Sequence, residues 1–395
     1  MRKRGDPANL AVLAAAAGIT VANVYLCQPL LASIAADFQL TPDRAGWVAS
    51  AAQAGYAIGI LFIVPMADHA AAKRLLQTLL ALACSALLAA AFSPGIGFLV
   101  AAAFVVSLGS VVPQILVPLA VASQHNVGTG KVVGIMQTGI ILGILLSRTV
   151  SGVVAEWCGN WRASYLLAAV LNAVLFFVLP RFLPARPAPL TTRMPYPQLI
   201  ASLPGLLVRW PGLRLSSALG ATVFGAFSAF WATLAFHLAA PPFGFGSAQA
   251  GLFGLWGIVG ALLAPRAGKL ADRYGANAVN AFGIAMAALG FGLFATAGNV
   301  SVLALVIGVN LLDFGNQAGQ IANQARIFKL DPGARARLNT VYMVLTFAGG
   351  AAGTLLGTTV WHGAGWTAVG LAGLSLLGLA ALIVGAGIVR TWRQG

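Results

Sequence analysis

Hydrophobic positions along the chain fall into twelve long runs, each separated from the next by a short polar or Gly/Pro-containing break. An α-helix needs about 20 residues to cross the hydrocarbon core of a bilayer, and each run has roughly that length. The pattern therefore predicts an all-α membrane protein with twelve transmembrane helices. The predicted spans are 9–31, 45–66, 75–93, 96–121, 132–155, 161–180, 212–237, 247–265, 278–298, 300–322, 338–360 and 365–388.

The composition supports the same class. Of 395 residues, 59% are hydrophobic, 8% are charged and 47 are glycine. Soluble domains carry about 25% charged residues, and Gly-rich apolar segments are typical of closely packed membrane helices. The basic N-terminus followed by an apolar run resembles a secretory signal. That run is too long for a signal and lacks a small-residue cleavage site, so we expect a permanent helix.

A net charge of +15 would indicate nucleic-acid binding in a soluble protein, so the positions of the charges matter. With the N-terminus in the cytoplasm, all of the 23 basic residues except Arg44, Arg148 and Arg162 fall on cytoplasmic segments. This is the positive-inside distribution of a membrane protein, and it predicts that both termini are cytoplasmic. No nucleic-acid partner is needed to explain the charge.

One long polar break, rich in Pro and Arg, divides the spans six to six. It predicts an N-terminal lobe over 1–183, a cytoplasmic linker over 184–211 and a C-terminal lobe over 212–395. The loops after the second and eighth spans, VPMADHAAAKRLL (64–76) and GKLADRYGANAVN (268–280), carry Ala-Asp at the same offset from an apolar run. This internal repeat predicts two pseudo-symmetric lobes.

These features resemble the major facilitator superfamily of transporters, whose twelve helices form two six-helix lobes. The second loop matches the family motif G-x-L-A-D-R-x-G at Gly268, Asp272, Arg273 and Gly275, whereas the first keeps Asp68 but lacks both glycines. Glycines allow a tight turn, and the aspartate can cap a helix or pair with a basic residue. The resemblance implies that these five residues hold one state of a rocking bundle closed. For the first copy, an ordinary basic loop is an equal alternative.

Asp313, in the tenth span, is the one carboxylate that the sequence puts at membrane depth. A charge there is costly and usually faces a wet cavity or a partner, so it indicates function. Asn310, Asn316, Gln317 and Gln320 share its helical face, where they either line a cavity or bond neighbouring helices. A carboxylate that moves between dry and charged surroundings can load and release a proton, so we expect Asp313 to couple transport to protons.

Arg148, in the fifth span, is the basic counterpart of Asp313. It lies about 12 Å along the helix from Glu156, too deep for a residue at the helix end. We expect it to anchor the substrate, because its guanidinium fork suits a carboxylate or phosphate. The alternatives are that it alternates as a partner of Asp313 or forms a permanent structural ion pair with it.

The fifth span also resembles the signature g-x8-G-x3-G-P-x2-G-G of the drug:proton antiporter branch. Gly134, Gly143 and Gly152 match it, but Arg148 stands where the signature has a kink-forming proline, and serines replace two further glycines. The glycines still permit close helix packing. Because the altered positions belong to the coupling motif, antiport does not follow from the resemblance alone.

By the same resemblance, the first, fourth, seventh and tenth spans line a central cavity. The seventh offers Phe227 and Trp231, which suit an amphipathic organic substrate, although such aromatic rows more often serve packing or contact lipid. The fourth offers Gln114 instead of the arginine typical of the family, and the tenth offers Asn310 and Gln317. We expect these residues to contact the substrate.

The stretch VYLCQPLL (24–31) interrupts the first span with polar residues and a proline. Tyr25 and Gln28 share one helical face, which we expect to contact the cavity, whereas Asn23 lies on another face, toward a neighbouring helix. Pro29 removes a backbone hydrogen bond and predicts a bend. Cys27 is expected to be a packing residue.

Nothing in the sequence indicates an enzyme: it has no nucleophile with a base, no nucleotide loop and no His/Cys cluster, so we expect no metal and no other cofactor. The interpretation is a monomeric secondary transporter in a bacterial inner membrane, working by alternating access on a small molecule. The drug-efflux resemblance predicts proton-coupled export of a small amphipathic compound, a drug or metabolite. Proton-coupled uptake of an organic anion is the alternative that Arg148 supports. A non-transporting membrane sensor or scaffold is the alternative of another class.

Overall fold

The computed structural model describes residues 7–123, 128–183, 194–259, 270–271 and 273–392. Within these ranges the chain forms helices and turns without strands, as predicted. The main helices are α1 (Pro7–Tyr25), α2 (Leu31–Asp37), α3 (Pro42–Phe62), α4 (Ala72–Ala91), α5 (Ile96–Gly109), α6 (Val112–Ser123), α7 (Thr129–Trp157), α8 (Arg162–Val178), α9 (Tyr196–Arg209), α10 (Pro211–Ala239), α11 (Ser247–Trp256), α12 (Ala276–Ala295), α13 (Val302–Phe328) and α14 (Arg335–Trp392).

Ten segments of the described chain are long and apolar enough to cross a membrane. The last of them has 56 residues, enough for two crossings. It is broken at Gly365, whose φ of 74° only glycine adopts readily, so α14 accounts for the eleventh and twelfth predicted spans. The eighth predicted span begins as α11, and its end lies outside the described residues.

Two of the predicted spans are interrupted next to a proline. The first is broken after Tyr25, where a 3₁₀ turn containing Pro29 joins α1 to α2; the predicted bend at Pro29 stays a prediction. The fourth, predicted as one helix over 96–121, is divided between α5 and α6 beside Pro113. Proline has no N–H to continue the helical ladder, which explains why a continuous apolar run is not a continuous helix there.

Glycines bring helices of each half of the chain into backbone contact. Where α1 crosses α7, a Cβ on Gly143 would lie 2.2 Å from the carbonyl oxygen of Gly18. Where α10 crosses α14, a Cβ on Gly353 would lie 2.0 Å from the carbonyl oxygen of Gly225. The first and fifth spans therefore cross in the same close manner as the seventh and eleventh, which supports the internal repeat.

Two seams join the halves, α3 against α14 and α7 against α11. In the first seam, Ser50 Oγ donates to the carbonyl oxygen of Ala351 (2.9 Å), and Gln53 Nε2 donates to Thr354 Oγ1 (3.2 Å). Such side-chain hydrogen bonds replace the water that hydrocarbon lacks. The lobe boundaries at 183 and 212 stay a prediction.

The segment predicted as a linker contains a helix, α9. Its buried residues Leu199, Leu203 and Leu206 recur at helical spacing, and Tyr196 Oη donates to the carbonyl oxygen of Phe62 (2.8 Å). The helix thereby packs against the bundle, at the end where α3 finishes. The Pro- and Arg-rich composition of the surrounding segment concealed this short amphipathic pattern.

Asn23 contacts neighbouring helices, as its helical position predicts. Its Nδ2 donates to Ser110 Oγ (3.0 Å) and to Asn172 Oδ1 (3.3 Å), and Asn172 Nδ2 donates back to Asn23 Oδ1 (3.2 Å). Cys27 is buried in an apolar cluster. Asn23 therefore holds α1 against α8 and the junction of α5 and α6.

The glycine crossing of α1 and α7 gives a direct stability test. Changing Gly143→Ala puts a methyl group against the Gly18 carbonyl, so we expect a loss of about 1–3 kcal/mol from overpacking. Thermal unfolding of the purified protein in detergent measures it. Gly134→Ala is the matched control on the same helix, because nothing lies within 4 Å of its added Cβ. Equal thermal shifts for the two variants would contradict the close crossing.

Candidate functional site

Arg148 lies at the centre of the bundle, with 1% of its surface exposed. Its Nε donates to Gln28 Oε1 at 2.7 Å. The guanidinium carbon is 3.7 Å from the centroid of the Trp231 ring, and Tyr25 and Phe227 follow at 5.2 and 5.7 Å. Arginine over an aromatic face is stabilised by the ring quadrupole, more strongly where water is excluded.

The break in the first span is what brings Gln28 to Arg148. Because α1 ends at Tyr25 and a 3₁₀ turn follows, Gln28 lies in that turn against α7 and α10. Tyr25 stays on the same side, as the shared helical face predicts. On the other side, α10 is buried without interruption from Val223 to Leu238, which makes Phe227 and Trp231 interior residues rather than lipid-facing ones.

Asp313, on α13, lies in the same region with 4% of its surface exposed. Together with Arg148, Phe227, Asn316 and Gln317 it lines a cavity of about 30 Å³. Among the residues that the structure describes, its Oδ1 has no hydrogen-bond partner, and neither has Arg148 Nη2. Trp231 Nε1 is near the Asp313 carboxylate, outside hydrogen-bond geometry. Unsatisfied buried polar atoms are rare, so three of them around one site need an explanation.

Arg148 and Asp313 do not form a direct ion pair in this conformation. Among the described residues, the one ion pair within contact distance joins Arg162 Nη1 to Asp37 Oδ2 (2.6 Å). It lies at one end of the bundle, which is here called the Asp37 end. The two buried charges therefore interact across the cavity. A permanent contact pair, one of the alternatives from the sequence, is not the arrangement present.

Three glycines at the eighth span make room for the two charges. A Cβ on Gly257 would lie 2.2 Å from Asp313 Oδ2, one on Gly254 would lie 3.1 Å from Arg148 Cβ, and one on Gly251 would lie 2.4 Å from the Arg148 carbonyl oxygen. None of the three is among the site residues predicted from the sequence. The regular spacing of glycine in GLFGLWG (251–257) was the available signal, since it predicts a flat helix face.

The site is closed in this conformation. A second cavity, of about 10 Å³ and lined by Gln28, Arg148 and Trp231, lies beside the first. Cavities of these sizes hold about one or two water molecules, whereas organic ligands occupy about 300–1,000 Å³. The helices must therefore separate before a substrate enters.

Contacts of α11 with α2 and with α7 close the Asp37 end. Ser33 Oγ and Ser247 Oγ are 2.8 Å apart, and Glu156 Oε2 accepts a hydrogen bond from the backbone N–H of Ala248 (2.9 Å) at the start of α11. A carboxylate at a helix N-terminus is stabilised by the helix dipole. Glu156 therefore fastens one half of the bundle to the other.

Two predicted substrate contacts are not brought to Arg148. Gln114 Nε2 donates to Tyr56 Oη (3.3 Å), and Asn310 Nδ2 donates to the carbonyl oxygen of Trp256 (2.7 Å). Neither residue lines the two cavities beside Arg148. Their contact with substrate stays a prediction, for a conformation other than this one.

The predicted gating residues are described only in part. Gly268, Asp272 and the side chain of Asp68 lie outside the described residues. The guanidinium of Arg273 lies 5.2 Å from the Tyr274 ring centroid. Their gating role therefore stays a prediction.

Gly275 adopts a φ of 83° at the start of α12, as the glycine of a tight turn would. At the matching position of the first loop, Ala71 has a φ of −64°, which explains why alanine is accommodated there. The two copies of the motif therefore make different turns.

The chain matches known proteins over most of its length. The family model of the Major Facilitator Superfamily matches residues 13–354. The uncharacterized transporter YgaY of Escherichia coli O157:H7 is 40% identical over 371 residues, 94% of this chain and 93% of that protein. A protein of Streptomyces coelicolor, named as a probable transporter, is 36% identical over 361 residues, 91% of this chain and 83% of that protein. Among solved structures, a variant of the nucleoside transporter NupG superposes with a TM-score of 0.79 at 14% identity, covering 96% of this chain and 99% of that one. The chain therefore belongs to the Major Facilitator Superfamily and is a multi-pass membrane transporter rather than an enzyme.

Proposed function

We propose that this protein is a proton-coupled secondary transporter that moves a small amphipathic organic compound by alternating access. The observation that carries the proposal is the central site, where one buried arginine and one buried aspartate line a single cavity and the Trp231 ring covers the arginine. Ionisable residues inside a membrane bundle are expensive and mark substrate or proton pathways. In this proposal Asp313 carries the proton and Arg148 anchors the substrate.

Alternating access requires that the seams between the halves open and close. The α7–α11 seam is a glycine-lined crossing at which Gly152 and Gly251 meet backbone atoms of the facing helix, and the Glu156 carboxylate fastens it. Such a contact suits a reversible gate better than a large apolar interface does. The closed Asp37 end then represents one of the two states, with the site sealed from that side.

The distribution of basic residues supports the orientation. Both termini are proposed to be cytoplasmic, which makes the Asp37 end the outer face, and the bacterial relatives support a place in an inner membrane. The motif loop before Gly275 then lies on the cytoplasmic side, where it is proposed to gate the opposite end.

Two directions of transport follow from different observations. The drug-efflux resemblance of the fifth span predicts export of a drug or metabolite. Uptake of an organic anion is the second candidate, and the specific observation that favours it is Arg148 Nη2, a buried cationic donor without a partner. Protection of cells from toxic compounds distinguishes an exporter from an importer, which instead sustains growth on an anion.

The coupling role of Asp313 is tested by flux into proteoliposomes under an imposed pH gradient, over a panel of organic compounds. Asp313→Asn removes the titrating group, so we expect it to lose gradient-driven accumulation while substrate exchange without a gradient persists. Asp331→Asn, in the loop after α13, is the control that retains accumulation. Full gradient-driven transport by Asp313→Asn would show that the proton binds elsewhere.

Alternating access is tested by locking the Asp37 end. Ser33→Cys and Ser247→Cys together put two thiols where two hydroxyl oxygens are now 2.8 Å apart, close enough for a disulfide. In a background without Cys27, Cys84 and Cys158, we expect oxidation to abolish transport and dithiothreitol to restore it. Each single variant serves as a control. An oxidised double variant that transports at the unlocked rate would contradict opening at this seam.

A further inference from the structure

The guanidinium of Arg148 is only partly engaged by the protein. Nε is satisfied by Gln28, and one face of the group is covered by the Trp231 ring. Nη2 is buried without a hydrogen-bond partner. A buried charge with an unsatisfied donor is unfavourable, so this edge is expected to bind a group that the closed, empty site does not contain.

On the other side of the same cavity, the carboxylate of Asp313 also lacks hydrogen-bond partners among the described residues. Its Oδ1 is buried without a partner, and the carboxylate does not reach Arg148 to form an ion pair. The two residues therefore face a shared space rather than neutralise one another. A ligand group that enters this space meets a cation on one wall and a proton-binding carboxylate on the other.

The walls define the chemistry of that ligand. A carboxylate matches the planar guanidinium edge, with its two oxygens on parallel N–H donors. Within the described chain, Arg148 is the one basic residue that lines the two cavities beside it, which fits a single negative charge better than a phosphate dianion. Phe227, Trp231 and Ile144 supply apolar and aromatic surface for the remainder of the molecule.

We propose that Arg148 binds the carboxylate of an amphipathic aromatic monocarboxylate, and that this anion and a proton on Asp313 bind cooperatively. The inference rests on the proposed transport function and adds the substrate class and the sign of the coupling. A bound anion adds one negative charge between Arg148 and Asp313, which offsets the field of the arginine at the carboxylate. This added charge favours the protonated carboxyl group, by Coulomb's law in a poorly screened interior.

Binding linkage is reciprocal, so the proton must strengthen anion binding as much as the anion strengthens proton binding. The anion and the proton then cross the membrane in the same direction, and an inward proton gradient drives uptake. A cationic substrate would do the opposite, because it would compete with the proton for Asp313. The geometry thus favours uptake of an organic anion over export of a drug or metabolite.

Few other titratable groups face the two charges. On α1, Tyr25 faces Arg148, and Tyr56 on α3 lies behind Tyr25. The linings that α7, α10, α11 and α13 contribute to the two cavities carry no further charged residue in the described chain. Tyr342 of α14 lines a separate cavity beyond Asn316. Phenols stay neutral near pH 7, so Asp313 is the group expected to titrate.

The inference is tested by ligand binding to the full-length protein in detergent, read as thermal stabilisation and as quenching of tryptophan fluorescence. The probes are three molecules of one shape: benzoate, neutral benzamide and cationic benzamidine. We expect benzoate alone to bind. Benzoate stays ionised at both about pH 8 and about pH 6, and its affinity should rise about tenfold between them.

Variants separate the two charges. Asp313→Asn imitates the protonated carboxyl group, so it should bind benzoate equally at both pH values, as tightly as the unaltered protein does at the lower one. Arg148→Gln should lose benzoate binding, and Arg148→Lys, which keeps the charge without the fork, should weaken it. Arg162→Gln, at the Asp37 end, is the matched control that retains it.

Several outcomes would overturn the inference: no benzoate binding, preference for benzamidine, or the same pH dependence in Asp313→Asn as in the unaltered protein. These results are distinguishable from failure of the transport proposal. Gradient-driven flux without the benzoate and proton linkage would leave a transporter of another substrate class. Cooperative binding of benzoate and protons without flux in proteoliposomes would leave the site as inferred and remove the transport role.

Discussion

A guanidinium buried in the middle of a membrane bundle has to be solvated by the protein, and the arrangement around Arg148 follows from that constraint. Gln28 reaches its Nε because the first span is broken at Tyr25. Trp231 covers its face from a helix that is buried along most of its length. Gly254, on α11, leaves the space in which the side chain lies. Each of these features alone is a local irregularity, and together they form one polar site.

The helices meet in different ways within each half and between the halves. Helices meet through glycine at the crossings within a half, which gives close and rigid contact, as at Gly143 on Gly18. Between the halves, apolar contacts of α2 with α10 at the Asp37 end are accompanied by hydrogen bonds, those of a pair of serines and of the Glu156 carboxylate on a helix N-terminus. Water can replace these hydrogen bonds when the seam opens. Rigid halves with a replaceable interface are what a rocking transporter requires.

Sequence patterns predicted most of the fold, because hydrocarbon permits few alternatives to a spanning helix. The structure brings Tyr25, Gln28, Trp231 and Asp313 to the surroundings of Arg148, and their contact with substrate or proton stays a prediction. Gln114 and Asn310 fell outside the site, for they satisfy their hydrogen bonds locally in this conformation, which no sequence pattern reveals. Gly257 was missed as a site residue because its contribution is the absence of a side chain next to Asp313.

In the fifth span, glycines of the antiporter signature are retained while its proline is replaced by a charged residue. Two of its three signature glycines lie in close packing: Gly143 packs on the Gly18 backbone, and a Cβ on Gly152 would lie 2.1 Å from the Ser247 carbonyl oxygen. The position where the drug:proton antiporter signature has proline is occupied by Arg148, which points into the cavity instead of bending the helix. A bend alters how a helix moves, whereas a charge alters what the cavity binds. The resemblance therefore extends to the packing of this helix, and its coupling has to be derived from the new charge and the aspartate opposite it.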